Sequence, residues 1–190
     1  MSVDLHLHTH YSDGSWSPRD LVEKAVELGL TCIAVTDHDT VDGIAACVAA
    51  ADGRLRIIAG IEINTVWQTA DGRLKDVHLL GYHFEPSAPS MGRIIEKQQQ
   101  ARLAQIEETL VLMRAAGIDI VMEDVRAVGG IGSLGRPHLA KALLGKGVVA
   151  SIGQAYDLLI KRSSPFYVAR RSVTPQEAIA AIKSAGGISC

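Results

Sequence analysis

Between residues 3 and 82 the chain alternates short apolar runs with helix-patterned segments. The run Cys32-Ile33-Ala34-Val35, unbroken and bounded by polar residues, limits what that alternation can become. A strand apolar on both sides of its pleat must be covered on both faces, as in a parallel sheet flanked by helices. Ahead of it, Ser17-Pro18-Arg19-Asp20 supplies an N-cap, a proline at the first helical position and an acid at the third. Leu21, Val22, Ala25 and Leu28 then share one face, and Gly29 closes the helix. Behind it, residues 41–51 are Ala- and Val-rich and helix-like, and Arg56 to Ile63 is a further strand. A polar turn around Asp71-Gly72 leads to a strand over Val77–Tyr82. The pattern predicts an α/β chain with a mainly parallel sheet or barrel, its site gathered at the C-terminal strand ends.

The chemistry-bearing residues fall at or near those ends. In the first strand, alternation sets Val3, Leu5 and Leu7 on one face of what is expected to be a buried strand, and Asp4, His6 and His8 on the other. Two imidazoles side by side, with the Asp13 carboxylate five residues on, form a spacing that a divalent metal can use. Hydrogen-bonded histidines of a core or surface are the plain alternative for a single such pair. Three further stretches favour the metal: Thr36-Asp37-His38-Asp39, Gly60-Ile61-Glu62 and Val77-His78-Leu79-Leu80-Gly81-Tyr82.

After Pro86–Pro89 the pattern changes. A long helix is expected from about Met91 to Ala115, with Ile94, Ile95, Leu103, Ile106, Leu110 and Met113 at helical spacing, and shorter ones around 122–128, 137–145 and 151–161. Residues 88–165 thus read as a helical insertion, between an α/β part of residues 1–87 and 166–190. Within it lies Gly129-Gly130-Ile131-Gly132-Ser133-Leu134-Gly135-Arg136-Pro137-His138. Its glycines allow close approach to a ligand, Arg136 can fork onto a phosphate, and His138 can donate to it or accept a proton. The same spacing also suits an interhelix loop in which Pro137 starts a helix. Thr174-Pro175-Gln176-Glu177 is a capping box for a last helix, and Ile188 begins another strand.

No apolar run reaches the ~18 residues of a membrane span, and the N-terminus lacks the basic and apolar regions of a signal peptide, so a cytoplasmic protein is expected. Cys32, Cys47 and Cys190 are scattered, which argues against a disulfide framework or thiolate cluster; Cys32 and Cys47 read as buried apolar residues. A net charge of -2 gives no footprint for long duplex nucleic acid, although metals and a few local cations can hold a small anion. The sequence leaves the oligomeric state open.

Together, Asp4-Leu5-His6-Leu7-His8-Thr9 with Ser12-Asp13-Gly14, Thr36-Asp37-His38-Asp39, Gly60-Ile61-Glu62, His78-Leu79-Leu80-Gly81-Tyr82 and Gly135-Arg136-Pro137-His138-Leu139-Ala140 resemble the PHP (polymerase and histidinol phosphatase) family. The resemblance is to its branch of small bacterial phosphoesterases, that of RNase AM and nucleotide 3′,5′-bisphosphate phosphatase. It implies a distorted (β/α)7 TIM-like barrel with a helical insertion, and metal-dependent phosphomonoester hydrolysis of nucleotide 3′,5′-bisphosphates or of short RNA from its 5′ end. The ligands it implies are His6 and His8 on one metal, Glu62 bridging to a second held by His78, and Asp13 with His38 on a third. Arg136, His138 and Ser133 would contact substrate, with Arg136 and His138 as the catalytic pair. Asp37 and Asp39 would orient His38, while His10 and His83 would not ligate.

Two or three divalent ions (manganese, iron or zinc) and a metal-activated hydroxide are therefore expected, with a small nucleotide or short oligonucleotide as substrate. The resemblance also implies late His-Pro and Asp-x-His motifs that this sequence lacks, and a barrel usually needs about 250 residues. A truncated barrel with about two protein ligands per metal, weak metal binding and poor activity is the resulting expectation. Two alternatives are an amidohydrolase-like C–N hydrolase and a non-catalytic nucleotide- or metal-binding module.

Overall fold

A computed structural model describes residues 2–129 and 133–190 of the chain. Gly130, Ile131 and Gly132 of the glycine-rich stretch lie outside them. In order, the elements are β1 (Val3–Leu7), α1 (Pro18–Glu27), β2 (Cys32–Val35), α2 (Asp42–Ala51), β3 (Arg56–Gln68), β4 (Leu74–Tyr82), α3 (Pro89–Ala115), α4 (Met122–Gly129), α5 (Arg136–Gly145), α6 (Ile152–Ile160), α7 (Pro175–Ser184) and β5 (Ile188–Ser189). The caps form as the sequence dictates. Ser17 Oγ accepts from the Asp20 N–H at the start of α1, and Thr174 and Glu177 exchange reciprocal bonds at the start of α7.

The chain divides into two compact units. One contains the residues up to 98, Ser133 and those from 172 onward; the other contains 99–129 and 134–171. In the first unit the strands form one mixed sheet in the order β1-β2-β3-β4-β5. β1, β2 and β3 are parallel, as helical crossovers require, but β4 runs antiparallel to both β3 and β5. This departs from the mainly parallel sheet expected. Thr69 to Arg73 close a tight turn, with the Thr69 N–H bonded to the Arg73 carbonyl at 2.8 Å and Gly72 at φ 80°. So short a link can join only antiparallel neighbours; a parallel return takes a dozen residues or more.

β3 is the long element, and it changes partner along its length. Arg56–Ala59 pair with β2 and Gly60–Gln68 with β4. At the switch, a Cβ on Gly60 would stand 2.7 Å from the Val35 carbonyl oxygen, so only glycine lets β3 pass the end of β2 this closely. Ile33, Val35, Ile61 and Ile63 from the sheet pack with Leu21 and Val22 of α1, Ile44 of α2, Met91 of α3 and Ile182 of α7. β1 is not the buried strand expected. It lies at the end of the sheet's strand order, Val3 and Leu5 are exposed, and only Leu7 reaches the core. Cys47 is buried, whereas Cys32 is only partly so.

The second unit has its own core, in which Ile106, Leu110 and Met113 of α3 pack with Val125 of α4, Leu139 and Leu143 of α5 and Leu159 of α6. Among the described residues, no helix is long and apolar enough to cross a membrane.

Candidate metal centre

β1 presents His6 and His8, and the turn after it is tied down residue by residue. The Thr9 carbonyl accepts from the N–H groups of Ser12 and Gly14, each at 3.1 Å, and the His10 N–H donates to the Trp16 carbonyl at 2.9 Å. A Cβ on Gly14 would lie 2.3 Å from the His8 carbonyl oxygen, so glycine allows the turn to fold back on the strand and hold Asp13 beside His8. Asp37 completes the lock. Its Oδ1 accepts from the Thr9 N–H at 2.7 Å and the Ser12 hydroxyl at 2.6 Å, and its Oδ2 from the Thr9 hydroxyl at 2.7 Å. The expected role for Asp37, orienting His38, gives way to this one, because its carboxylate faces the β1 turn.

His38 follows β2 and pairs through an isolated parallel bridge with Glu62. Glu62 and His78 are not at strand ends. They sit inside β3 and β4, on the antiparallel arm that runs past the end of β2 and carries both side chains alongside His8 and His38. Glu62, almost fully buried, is the hub: its Oε2 lies 2.7 Å from His6 Nε2, 3.0 Å from His8 Nε2 and 3.7 Å from His38 Nδ1, while its Oε1 contacts His78 Nδ1. Asp13 stands on the other side, with Oδ1 3.3 Å from His8 Nδ1 and Oδ2 3.6 Å from His38 Nε2.

The six side chains, from β1 and the turn after it, the segment after β2, β3 and β4, therefore converge, and they form three overlapping groups whose ligand atoms lie within 4.8 Å of one another: His6-His8-Glu62, His38-Glu62-His78 and His8-Asp13-His38. This improves on the two ligands per position read from the sequence, because residues are shared. The sharing has a limit, since a neutral imidazole offers one lone pair, whereas the Glu62 carboxylate offers two oxygens. The first two groups can be complete together, which leaves Asp13 to hold a third ion with other donors. Four nitrogens and two carboxylates, without thiolate, suit borderline to hard divalent ions. The arrangement is half open: the side chains of His6 and His78 are 50% and 46% exposed, that of Glu62 only 4%.

Charge accounts for the crowding. Burial disfavours ionised Glu62, but hydrogen bonds from His78 and His8, the His38 charge and the His6 bond outweigh it and hold the carboxyl well below the usual range. Burial likewise opposes charge on His8, and the Asp13 and Glu62 carboxylates override it, pushing the ring up from 6.5 to about 9. In the metal-free chain, then, protons occupy places that cations would take. Because the folded value is raised, the stabilisation from His8 is full below pH 6.5 and is lost as pH rises through about 9. Cation affinity should run the opposite way, rising over that interval on the order of tenfold per pH unit for each proton displaced. Manganese titrations at several pH values, paired with thermal unfolding of the metal-free chain, check both trends; a flat affinity would exclude His8 from the ligand set.

Among the remaining residues, His10 and His83 belong to none of the three groups. Ser133 donates its N–H to the Tyr11 carbonyl at 2.9 Å, and its Oγ is buried without a partner among the described residues. Arg136 and His138 lie in the second unit, in the first turn of α5. His138 is buried, and its Nδ1 accepts from the Gly135 N–H at 3.1 Å. Asn64, which no motif singled out, is 2% exposed, and its side-chain nitrogen lies 3.0 Å from His38 Nδ1.

A family model described as the PHP domain matches residues 4–165. The chain is 33% identical over 186 residues to a 5′-3′ exoribonuclease of Haemophilus influenzae, covering 97% of this chain and 66% of that protein. It is 27% identical over 189 residues to a 3′,5′-nucleoside bisphosphate phosphatase of Chromobacterium violaceum, covering 98% and 65%. A crystal structure from Bifidobacterium adolescentis, described as that of a candidate metal-dependent phosphoesterase, superposes with a TM-score of 0.87 at 32% identity, covering 98% of this chain and 65% of that one. The chain thus spans just under two thirds of the length of the curated relatives it matches.

Proposed function

The chain belongs to the PHP family, and from that premise we propose that it is a metal-dependent phosphoesterase acting on nucleotide 3′,5′-bisphosphates or on the 5′ ends of short RNA. The observation that carries this reading is the buried Glu62 carboxylate, met by four imidazoles and faced by Asp13. A phosphate monoester dianion repels an attacking hydroxide, so its hydrolysis needs positive charge on the phosphoryl oxygens. Two or three manganese, iron or zinc ions, when bound, would supply that charge and bring the pKa of water from 15.7 toward about 7.

The chain's own residues do the placing. His6, His8 and Glu62 would hold one ion, His38, Glu62 and His78 a second, and Asp13, beside His8 and His38, would help to hold a third, while the exposed edges of His6 and His78 leave that side open to a phosphate. Arg136 and His138 are assigned to the outer phosphate oxygens, with Ser133 as a further donor. The Gly135 N–H on Nδ1 sets Nε2 as the protonated nitrogen of neutral His138, the form able to donate to a leaving oxygen. Arg136→Ala should mainly raise KM for adenosine 3′,5′-bisphosphate, about tenfold, since the guanidinium binds the outer phosphate oxygens in the ground state as well as in the transition state. An unchanged KM would make the segment an interhelix loop.

The relatives named as exoribonuclease and bisphosphate phosphatase support the substrate class. Phosphate release from p-nitrophenyl phosphate, adenosine 3′,5′-bisphosphate and a 5′-phosphorylated oligoribonucleotide, with and without manganese and beside an N-acyl amino acid, tests it. Manganese-dependent release from the nucleotides is expected. Turnover of the amide alone would mean a C–N hydrolase, and metal binding without turnover would mean a binding module.

A further inference from the structure

The turn that carries Asp13 also carries three rings to which the proposed chemistry gives no task. His10, Tyr11 and Trp16 fall within seven residues, in a chain where Phe, Trp and Tyr make up only 4% of the sequence. A core is the ordinary place for such rings, yet His10 is exposed, Trp16 is 45% exposed and Tyr11 is half-buried. The turn holds them in place. The His10 N–H donates to the Trp16 carbonyl at 2.9 Å, so the backbones of these two residues lie side by side. The Tyr11 N–H donates to Thr9 Oγ1 at 3.1 Å, and the Tyr11 carbonyl accepts the Ser133 N–H at 2.9 Å. The Tyr11 ring meets the start of α2, where a Cβ on Gly43 would lie 3.4 Å from Cδ2. It also meets the His10 ring, with centroids 5.1 Å apart and planes inclined by 56°, so the two do not stack face to face. Among the described residues, the His10 ring nitrogens, the Tyr11 hydroxyl and Trp16 Nε1 have no hydrogen-bond partner.

We infer that this turn is the nucleobase subsite of the metal centre: Trp16 and the Tyr11–His10 pair offer ring faces on which the base of a nucleotide stacks while its phosphate is held at the ligand cluster. The inference rests on the phosphoesterase reading and narrows its substrate to esters that carry a base. Asp13 follows Tyr11 by two residues and precedes Trp16 by three, and its carboxylate stands 3.3 Å from His8, so the rings border the cluster. Phosphate and base belong to one molecule, and a subsite for the base must lie within a nucleoside's length of the site for the phosphate. Stacking asks only for a π face, which every base has; the subsite therefore selects nucleotides over simple phosphate esters without choosing among bases.

The test compares two substrates on the whole chain with manganese, adenosine 3′,5′-bisphosphate and glycerol 2-phosphate, which has the phosphate but no ring. Trp16→Leu and Tyr11→Leu keep apolar bulk and remove the π face; each should raise KM for the bisphosphate about 5- to 150-fold and leave glycerol 2-phosphate unchanged. Trp16→Phe and Tyr11→Phe, which keep a ring, should recover most of the loss. If Tyr11→Leu does not fold, Trp16→Leu, at the more exposed position, is the readable variant. Binding is read separately in Trp67→Phe, which leaves Trp16 as the sole tryptophan. With zinc present, adenosine 5′-monophosphate should quench its fluorescence saturably, and inorganic phosphate or glycerol 2-phosphate should not. An unchanged KM for the bisphosphate in the leucine variants, an equal rise for both substrates, or no quenching by the nucleotide would overturn the subsite. Absence of phosphate release from either substrate in the parent would instead overturn the phosphoesterase reading, and the quenching would still decide whether the turn binds a base.

Discussion

Glu62→Gln should leave the chain short of at least one bound cation and reduce manganese-dependent phosphate release about a thousandfold. The amide keeps the shape of the side chain but loses the charge that four imidazoles converge on, and its nitrogen cannot ligate. Glu62, His8 and His38 each belong to two of the three ligand groups, but only Glu62 can serve both of its groups at once, through its two oxygens. Losing several kcal/mol of transition-state charge stabilisation, about 4 kcal/mol, corresponds to a factor of about a thousand in rate. Metal content and turnover measured on the same preparations decide it. Full metal content with full turnover in Glu62→Gln would show that the carboxylate is a structural partner of the histidines and no more.

Asp37→Ala should cost the metal-free first unit about 3–5 kcal/mol, the largest stability loss expected of any single substitution near the site. The side chain is 1% exposed and satisfies three donors at once, the Thr9 N–H, the Thr9 hydroxyl and the Ser12 hydroxyl. Each donor stranded away from water costs about 1–3 kcal/mol, and the alanine also leaves a void beneath the turn. Trp16 and Trp67, the two tryptophans of the chain, both lie in the first unit, so denaturant unfolding followed by tryptophan fluorescence reports on that unit. A midpoint within experimental error of the parent's would mean that the turn holds without Asp37. Because the turn carries Asp13, metal affinity should fall along with stability.

The contrast between Glu62 and Asp37 shows where the sequence was legible. Histidine and carboxylate at strand-like runs could be gathered into one cluster because strand alternation and residue chemistry are local properties. That Glu62 serves from the middle of a strand was not visible, since it depends on β3 leaving β2 at Gly60 and pairing with β4 instead. The mixed sheet escapes the sequence for a related reason: the β/α rhythm of residues 3–56 predicts another parallel strand, but Thr69–Arg73 is a link too short for a crossover. Val3 and Leu5 have the alternation of a half-buried strand, but the position of β1 in the sheet leaves them exposed. Asp37 adjoins His38 in sequence, yet its carboxylate points to a turn 25 to 28 residues away. Asn64 carries no motif at all. Its place beside His38 comes from hairpin register, which sets it opposite His78.

The central claim, that His6, His8, Asp13, His38, Glu62 and His78 form one metal centre, is tested most directly by crystals of the chain soaked in zinc and measured across the zinc absorption edge. Anomalous peaks are predicted about 2.0–2.2 Å from His6 Nε2, His8 Nε2 and a Glu62 oxygen, and a second about 2 Å from His78 and the other Glu62 oxygen. A saturated crystal with no anomalous peak among these six side chains, or with zinc held elsewhere on the chain, would contradict the account.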